Sequence, residues 1–403
     1  MTSVSQAKSQ SRIGLILLAF IAFISLGLPD GLLGVAWPSV RREFEMPLDA
    51  IGFMLFAGMF GYLSSSFFSG KIVSRLGVGR LLAVSCFLTG GALVGYTLAP
   101  SYWVIVGLSL FSGLGAGAID AGLNTYIAAN HGEGLMQWLH ASFGVGVTLG
   151  PIIMTTAVNG LGQWRLGYLI VGIAQLTLAT CFFLTASMWQ QQAPVIEAGA
   201  SKLTDYKTSL RETIRQRGAW MSVLLFFIYT GIELAFGHWS YTLLTESRGV
   251  APETAGLVAG SYWGMFTVGR ILAGLYAKRI SAHQILQFSM FSALAGALLV
   301  VWNPSQTLSL IGIAIVGFSV APVFPALVST TRNRVSDRHA ANTIGIQISA
   351  AGFGGTVMPT IAGILGRRIS LEAIPVFLVT LIIILIIVYT YGSRPKAELI
   401  EHG

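Results

Sequence analysis

Charged side chains are scarce in this sequence. Only 10% of the 403 residues are Asp, Glu, Lys or Arg, whereas 54% are hydrophobic, and a soluble domain carries about 25% charged residues. This composition cannot cover a water-facing surface, and the mean hydropathy of +0.73 indicates an integral membrane protein. The net charge of +8 does not indicate nucleic-acid binding, because the basic residues lie between apolar runs, where they orient helices.

Cysteine is nearly absent, and so are the short motifs of catalysis. Cys86 and Cys181 both lie in apolar segments, which argues against a disulfide framework or a zinc site and favours small buried hydrophobes. We find no HExxH, P-loop or nucleophile elbow. Glycine-rich "GLGAGA" at 113–118 lies inside an apolar run, where close helix packing explains it better than dinucleotide binding. We therefore expect no enzyme, metal or cofactor.

Long apolar runs are what the sequence has instead. About 20 residues cross the hydrocarbon core as a helix, and the first run is too long for a signal peptide. An all-α membrane protein with twelve transmembrane helices is predicted, at 13–39, 49–72, 79–99, 102–128, 135–158, 165–189, 219–245, 253–277, 282–301, 306–330, 340–365 and 371–392.

A polar stretch at 190–218 divides these runs into two sets of six. The sequence thus predicts an N-terminal six-helix bundle over 1–189, a cytoplasmic central linker over 190–218 and a C-terminal six-helix bundle over 219–403. Within the linker, "SLRETIRQR" has helical spacing, so it is either a helix along the membrane surface or a solvated linker.

The distribution of basic residues predicts the orientation. With the N-terminus inside, the inner loops, tails and helix ends hold all of the 24 basic residues except six, namely Arg41, Arg42, Arg165, Arg248, Arg367 and Arg368. This bias favours an even helix count and cytoplasmic termini. We expect a multi-pass protein of a bacterial inner (plasma) membrane whose partners are the lipid bilayer, protons and a small molecule.

An internal repeat supports the division into halves. "GKIVSRLGVGR" from Gly70 matches "GLYAKRISAHQ" from Gly274 at an offset of 204, and "GVGVTLGP" (144–151) matches "GFGGTVMP" (352–359) at an offset of 208. Two parallel six-helix repeats about a central axis are the architecture of major facilitator transporters.

Three acidic residues lie deep in the predicted helices: Asp30, Asp120 and Glu233. A charge at the bilayer centre costs at least about 2.5–3.5 kcal/mol, so we expect these acids to carry protons or contact substrate; the alternative is a hydrogen bond to a partner helix. Pro29 and its flanking glycines predict free carbonyl groups that face a polar interior. Glu233 corresponds in the repeat to Pro29, which puts one acid at nearly the same depth in each half.

Further polar and aromatic side chains suit a sugar, whose hydroxyls bind amides and whose ring face packs on aromatics. Asn124 shares a helix face with Asp120. The alternatives are a core role for the histidines, an interfacial position for Trp239, and a hydrogen bond between helices for the glutamine. The predicted substrate-binding residues are Asn124, His140, Tyr229, His238, Trp239, Tyr262, Trp263 and Gln347.

The stretch "GKIVSRLGVGR" resembles the signature between the second and third helices of the major facilitator superfamily, with Ser74 where the family usually has Asp. This resemblance implies conformational gating by Gly70, Arg75, Gly77, Arg80 and Arg270, and a monomer.

Four stretches are similar to the fucose–proton symporter (sugar permease) family: "IDAGLN", "LHASFGVGVTLGP", "YTGIELAFGHW" and "SYWGMFTVGR". The family's fourth-helix acid followed by Asn matches Asp120 and Asn124, although Asp stands where Glu is common. The family's first-helix acid falls on Gly34 here, and Asp30 lies one turn earlier.

We therefore predict a proton-coupled secondary active transporter that moves a small polar solute, a monosaccharide above all, by alternating access. The proton gradient supplies the energy, with no cofactor. The alternatives are a proton-antiport exporter of drugs or amphiphilic metabolites, a sensor that binds without transport and, more distantly, a membrane enzyme.

Overall fold

Twelve long helices occur among the residues that the structure describes. The computed structural model describes residues 2–130, 133–189, 208–276 and 279–392. In the first half lie α1 (Thr2–Glu43), α2 (Ile51–Leu76), α3 (Val78–Leu98), α4 (Tyr102–Asn130), α5 (Glu133–Leu161) and α6 (Trp164–Leu184). In the second half lie α7 (Arg217–Thr242), α8 (Pro252–Tyr276), α9 (Ala282–Trp302), α10 (Gln306–Val320), α11 (Asp337–Arg368) and α12 (Ala373–Gly392).

Two of these helices have continuations. A π-helical turn, Leu243–Ser247, extends α7, and the segment Val323–Ser329 continues α10 after a turn that contains Pro322. Proline cannot donate to the helical ladder, so the break falls where the sequence requires one. Shorter helices are Leu48–Ala50, Ala186–Met188, Leu210–Thr213 and Thr331–Val335.

Eleven stretches among the described residues are long and apolar enough to span a membrane. The remaining helix of that length is α8, which has 25 residues and is less apolar because it carries Ser261, Thr267 and Arg270. The predicted twelve-helix, all-α membrane fold is confirmed, with the helix ends within a few residues of the predicted ones in most cases.

The two halves use the same helix packing. In the first half α1 packs on α5, α2 on α4, and α3 on both α4 and α6. The second half repeats this arrangement with α7 on α11, α8 on α10, and α9 on both α10 and α12. The hydrophobic core of each half lies between these helices, and exposed apolar side chains cover the outside, where a bilayer replaces water as the solvent.

One glycine pair shows why the repeat is visible in the sequence. A Cβ atom on Gly146 of α5 would overlap the backbone carbonyl of Ile24 of α1, and a Cβ atom on Gly354 of α11 would overlap that of Phe227 of α7. Each glycine therefore permits a close backbone contact between two helices of its half. The same reason applies to "GLGAGA", since a Cβ atom on Gly113 would overlap the backbone of α2.

The carbonyl group that Pro29 leaves without a helical donor in α1 finds a hydrogen-bond partner inside the first half. Pro29 has no N–H group, which leaves the carbonyl of Ser25 without its helical donor. The side chain of Gln175 in α6 is fully buried and donates to that carbonyl at 2.8 Å, and Thr89 donates to the same amide. The expectation that this carbonyl faces a polar interior is wrong, because a buried amide from a neighbouring helix already pairs with it.

The segment before α7 docks on α11. Of the linker, residues 190–207 lie outside the described part, and in "SLRETIRQR" only Leu210–Thr213 is helical before α7 begins. Thr213 Oγ1 lies 3.1 Å from His339 Nδ1, and Asn342 Nδ2 donates to the carbonyl of Thr208 at 2.9 Å. A single helical turn held by α11 is not a long surface helix, so the linker interpretation is the better one.

The Gln175 contact leads to a stability prediction. Replacing Gln175 with Leu leaves the Ser25 carbonyl buried without a donor, and we expect the free energy of unfolding in detergent to fall by about 1–3 kcal/mol. Pro29→Ala restores the helical donor, so Pro29→Ala/Gln175→Leu should recover most of the loss. Equal stability of the single and double variants, measured by thermal unfolding, would refute this account.

Candidate functional site

The two halves contact each other at one end of the bundle. There, α1 packs on α7, with Gly34 against the backbone of Gly237 and His238, and α2 packs on α11, with Gly52 against Thr360. The helices α5 and α8 also pack together. We call this the closed end; it is where α1, α5, α7 and α11 end and where α2 and α8 begin.

Two ion pairs join the halves at the closed end. Arg41 at the end of α1 pairs with Glu246 in the turn after α7. Arg367 at the end of α11 pairs with Asp49 before α2, with 2.9 Å between Nε and Oδ1. All four side chains are partly exposed, so each pair contributes little by itself and breaks at modest cost.

The halves separate towards the other end, the open end. Along α5 and α8 the last close contacts are those of Gly144 with Thr267 and of the Thr148 and Thr267 hydroxyls, which are 3.4 Å apart. Nearer the open end, a Cβ atom on Gly70 of α2 or on Gly345 of α11 would meet nothing within 4 Å. These two helices thus leave open space around Gly70 and Gly345 at the open end.

A polar cluster from the first half lies at the middle of the space between the halves. Tyr62 of α2 donates to the carboxylate of Asp120 in α4, and Asn124 Nδ2 donates to the same carboxylate at 2.8 Å. Asp30 of α1 is exposed, although it lies in the middle of a membrane span, and it is near enough to the Tyr62 hydroxyl and to Glu233 for electrostatic interaction with both.

The second half contributes a matching cluster. Tyr229 donates to the Glu233 carboxylate within α7, and Tyr262 of α8 donates to the Glu233 carbonyl at 2.8 Å. Arg270 of α8 lies over the ring of Phe266, with 4.4 Å from Cζ to the ring centre. Its charge interacts with Glu233, and its buried Nε has no hydrogen-bond partner among the described residues.

His140 of α5 lies next to these two clusters. It is exposed, its ring contacts Phe23 edge-on at 5.6 Å, and its charge interacts with Asp120 and with Arg270. We name Asp30, Asp120, His140, Glu233 and Arg270 the central cluster. The cluster holds three carboxylates and one arginine, so full ionisation leaves it net negative unless it takes up protons or a cation.

Other predicted substrate residues are packed inside the second half. Tyr229 and Tyr262 are fully buried and hold Glu233 in place. Trp239 donates to the carbonyl of Pro359 at 2.9 Å, and Trp263 packs against Gly237. In this conformation these aromatic rings do not reach the central space.

Gln347 and His238 are also buried. Gln347 Nε2 donates to Thr331 Oγ1 at 3.0 Å, and the glutamine is fully buried. The structure therefore places it in a hydrogen bond inside the second half, the alternative that the sequence left open. His238 lies at the closed end between the halves. Direct substrate contact by these side chains stays a prediction.

The predicted gating residues divide into two groups. Gly77 ends α2 with φ +76°, a conformation that favours glycine, and Gly70, Arg75 and Arg80 lie around it, all exposed. Among the described residues, neither of these arginines forms an ion pair. Arg270 differs because it belongs to the central cluster rather than to the junction of α2 and α3. The gating role stays a prediction.

Sequence reasoning missed several of these partners. Tyr62 gives only a weak signal, a tyrosine beside the serines at 64–66 of an apolar helix. The pairs Arg41–Glu246 and Arg367–Asp49 join residues that are far apart in the chain. Only the folded arrangement of helices shows which charges meet.

Two halves of six helices around a polar centre define a polytopic membrane transporter. The family model of the Major Facilitator Superfamily matches residues 15–346 and 221–402. The chain belongs to the major facilitator superfamily, which confirms the resemblance drawn from its motifs and the expectation that it is not an enzyme.

Known proteins similar to the chain include transporters. The glucose/mannose transporter GlcP of Bacillus subtilis is 23% identical over 396 residues, which cover 96% of this chain and 96% of that protein. The human sodium-dependent glucose transporter 1 is 24% identical over 389 residues, covering 85% and 72%. The solved structure of the nucleoside transporter NupG superposes with a TM-score of 0.77 at 11% identity, covering 94% and 99%.

The ion pairs at the closed end lead to a conformational prediction. We expect Arg41→Gln and Glu246→Gln each to increase the fraction of molecules whose closed end has opened. The expected increase is about 1.4- to 5-fold, because that is the range for the loss of one exposed ion pair. Spin-label distances across that end measure this population. The exchanged variant Arg41→Glu/Glu246→Arg should return this population towards the original value. If the exchanged variant raises the population as much as the single variants do, the pairing is contradicted.

Proposed function

We propose that this chain is a proton-coupled secondary transporter that moves a small, hydroxyl-bearing solute, a monosaccharide above all, by alternating access. The observation that carries the proposal is the central cluster: three carboxylates, one arginine and an exposed histidine lie where the two halves of a major facilitator protein meet. Ionisable groups at this depth are expensive to bury and mark transport pathways.

The chemistry of the accessible groups supports a polar, hydrogen-bonding solute. Asp30 and His140 are exposed to the space between the halves. A carboxylate accepts hydrogen bonds from sugar hydroxyls, and an imidazole both donates and accepts. The names of the glucose/mannose and glucose transporters among the relatives point to the same substrate class.

The uneven contact between the halves supports alternating access. Small residues and two partly exposed ion pairs hold the closed end. Breaking them and bringing the halves together at the open end converts one access state into the other. The bias of basic residues assigns the open end to the cytoplasm of a bacterial inner membrane, so this conformation is inward-open and both termini are cytoplasmic.

Our proposal of proton coupling rests on Asp120 and Glu233, the two acids with hydrogen-bond partners, because a proton competes with these partners for the carboxylate. Tyr62 and Asn124 donate hydrogen bonds to Asp120, while Tyr229 donates to Glu233 and the charge of Arg270 attracts it. A proton on Glu233 removes its attraction to Arg270 and frees the guanidinium to move. Asp120 or Glu233 is the main proton site, and Asp30 interacts with Glu233 across the halves.

One observation favours a second function, a proton-antiport exporter of cationic amphiphiles. Asp30 is exposed, and among the described residues no side chain donates a hydrogen bond to it or forms an ion pair with it. A free carboxylate in the transport pathway is a binding site for a cation as well as for a hydroxyl group.

Reconstituted transport tests the proposal. In liposomes with a trapped pH dye, hexoses, 6-deoxyhexoses and pentoses are added in sodium-free buffer, and we expect one of them to drive proton entry. Glu233→Gln or Asp120→Asn should reduce this signal at least tenfold, because an amide cannot carry the proton, while downhill exchange of the solute persists. Glu253→Gln is the control, since Glu253 is exposed at the start of α8.

Each other outcome contradicts part of the proposal. Undiminished proton entry in both acid variants overturns the proton assignment. Uptake that requires sodium and moves no protons would make sodium the coupling ion instead of the proton. Proton release driven by a cationic amphiphile would favour the exporter.

A further inference from the structure

Exposed basic and apolar side chains alternate at the open end, on the stretch of chain that leads into α7. Residues 208–216 run from the end of the linker to the start of α7 at Arg217. This stretch and the first turn of α7 expose three arginines and three large apolar side chains. We name these six residues the basic–apolar segment, and its members are Leu210, Arg211, Ile214, Arg215, Arg217 and Trp220.

The three arginines of this segment have no counter-charge among the described residues. Arg211, Arg215 and Arg217 are exposed, and none of them forms an ion pair there. Glu212, the one acid in the stretch 208–220, pairs instead with Arg338 of α11 at 3.4 Å. Three positive charges are therefore available to an anion from outside the protein.

The apolar members place the segment at the boundary of the membrane. Trp220 is 61% exposed, and its Nε1 donates to the carbonyl of Ile214 at 2.7 Å. Leu224, one turn further along α7, is exposed as well, so Trp220 lies where the exposed apolar face of α7 begins. Tryptophan is enriched at the membrane–water interface, where its ring lies at the level of the lipid headgroups. We expect the neighbouring arginines to lie at the same level.

Contacts with α11 hold the segment in position. Thr213 is fully buried, and its Oγ1 lies 3.1 Å from His339 Nδ1. Asn342 Nδ2 donates to the carbonyl of Thr208 at 2.9 Å. Since the neighbours of Thr213 in the chain are exposed, the turn is fixed through one face and presents its basic and apolar side chains on the others.

We propose that the basic–apolar segment is a binding site for an anionic phospholipid in the leaflet at the open end. The guanidinium groups bind the headgroup phosphate, for which their planar, forked donors are suited. Leu210, Ile214 and Trp220 contact the glycerol backbone and the upper part of the acyl chains. Basic clusters next to a transmembrane helix attract anionic lipids in this way, and the lipid supplies the counter-charge that the described residues lack.

The apolar half of the segment favours a lipid over a free phosphate ion. Leu210 is 56% exposed and Ile214 is 42% exposed, and neither side chain offers anything to a small anion dissolved in water. The helical turn Leu210–Thr213 has only four residues, too few to lie on a membrane as an amphipathic helix. The site therefore fits the headgroup of a single lipid, whatever solute the protein transports.

The fluorescence of Trp220 reports the bound lipid. The full chain is reconstituted in phosphatidylcholine nanodiscs that contain a rising fraction of phosphatidylglycerol with brominated acyl chains, because bromine quenches tryptophans close to it. Each protein is measured with and without Trp220→Phe, and the difference isolates the signal of Trp220. Brominated phosphatidylcholine gives the reference, and we expect phosphatidylglycerol to be preferred about tenfold or more.

Neutral arginine variants test the headgroup contact. Arg211→Gln/Arg215→Gln/Arg217→Gln should lower the preference for phosphatidylglycerol to about one, because the phosphate loses its donors. Lysine at the same three positions keeps the charges and should retain most of the preference, which separates loss of binding from loss of folding. A preference that survives all three glutamines overturns the site.

A variant of equal charge distinguishes a site from general attraction to the membrane. Lys71→Gln/Arg279→Gln/Arg332→Gln also removes three exposed basic side chains from the open end. We expect it to leave the preference within about twofold, since charges more than about 8 Å away are screened at physiological salt. A loss as large as that of the arginine variant shows diffuse attraction and overturns the site.

Two further measurements separate a lipid from a free anion. Leu210→Ser/Ile214→Ser keeps the arginines and should weaken the binding of phosphatidylglycerol about threefold, because less apolar surface meets the lipid. Inorganic phosphate, added at constant ionic strength, should leave the quenching of Trp220 unchanged. Recovery of the Trp220 fluorescence with phosphate, together with unaltered binding in the serine variant, would identify a site for a free anion and overturn the lipid site.

Discussion

The low dielectric constant of the bilayer is the constraint on which this structure depends. Every polar group inside it needs a partner from the protein, and a carboxylate needs a hydrogen bond or a counter-charge. Within the first half, the side chain of Gln175 is the partner of the carbonyl group that Pro29 leaves free in α1. In the central cluster, Arg270 is the counter-charge of Glu233, and both it and Asp120 interact with His140.

Stability and transport make opposite demands on the contact between the halves. Within each half, glycine contacts such as Gly146 against Ile24 lock the helices together. Between the halves, the closed end relies on partly exposed ion pairs. The closest backbone contacts thus lie within each half, and the partly exposed ion pairs lie between the halves.

The two acids with hydrogen-bond partners have equivalent surroundings. Asp120 accepts from Tyr62 and Asn124, and Glu233 accepts from Tyr229. A tyrosine next to each carboxylate supplies one donor without adding a charge. Asp30 is exposed and has no such donor among the described residues.

The sequence by itself determined the twelve helices, the two repeats and the depth of Asp30, Asp120 and Glu233, because apolar length and repeated glycines are local and periodic signals. Only the tertiary structure decided that Gln347 and Trp239 bond inside the second half, that Arg270 faces Glu233, and that Arg41 meets Glu246. The physical reason is that hydrogen bonds and ion pairs between distant helices depend on helix rotation and packing, which no local pattern encodes.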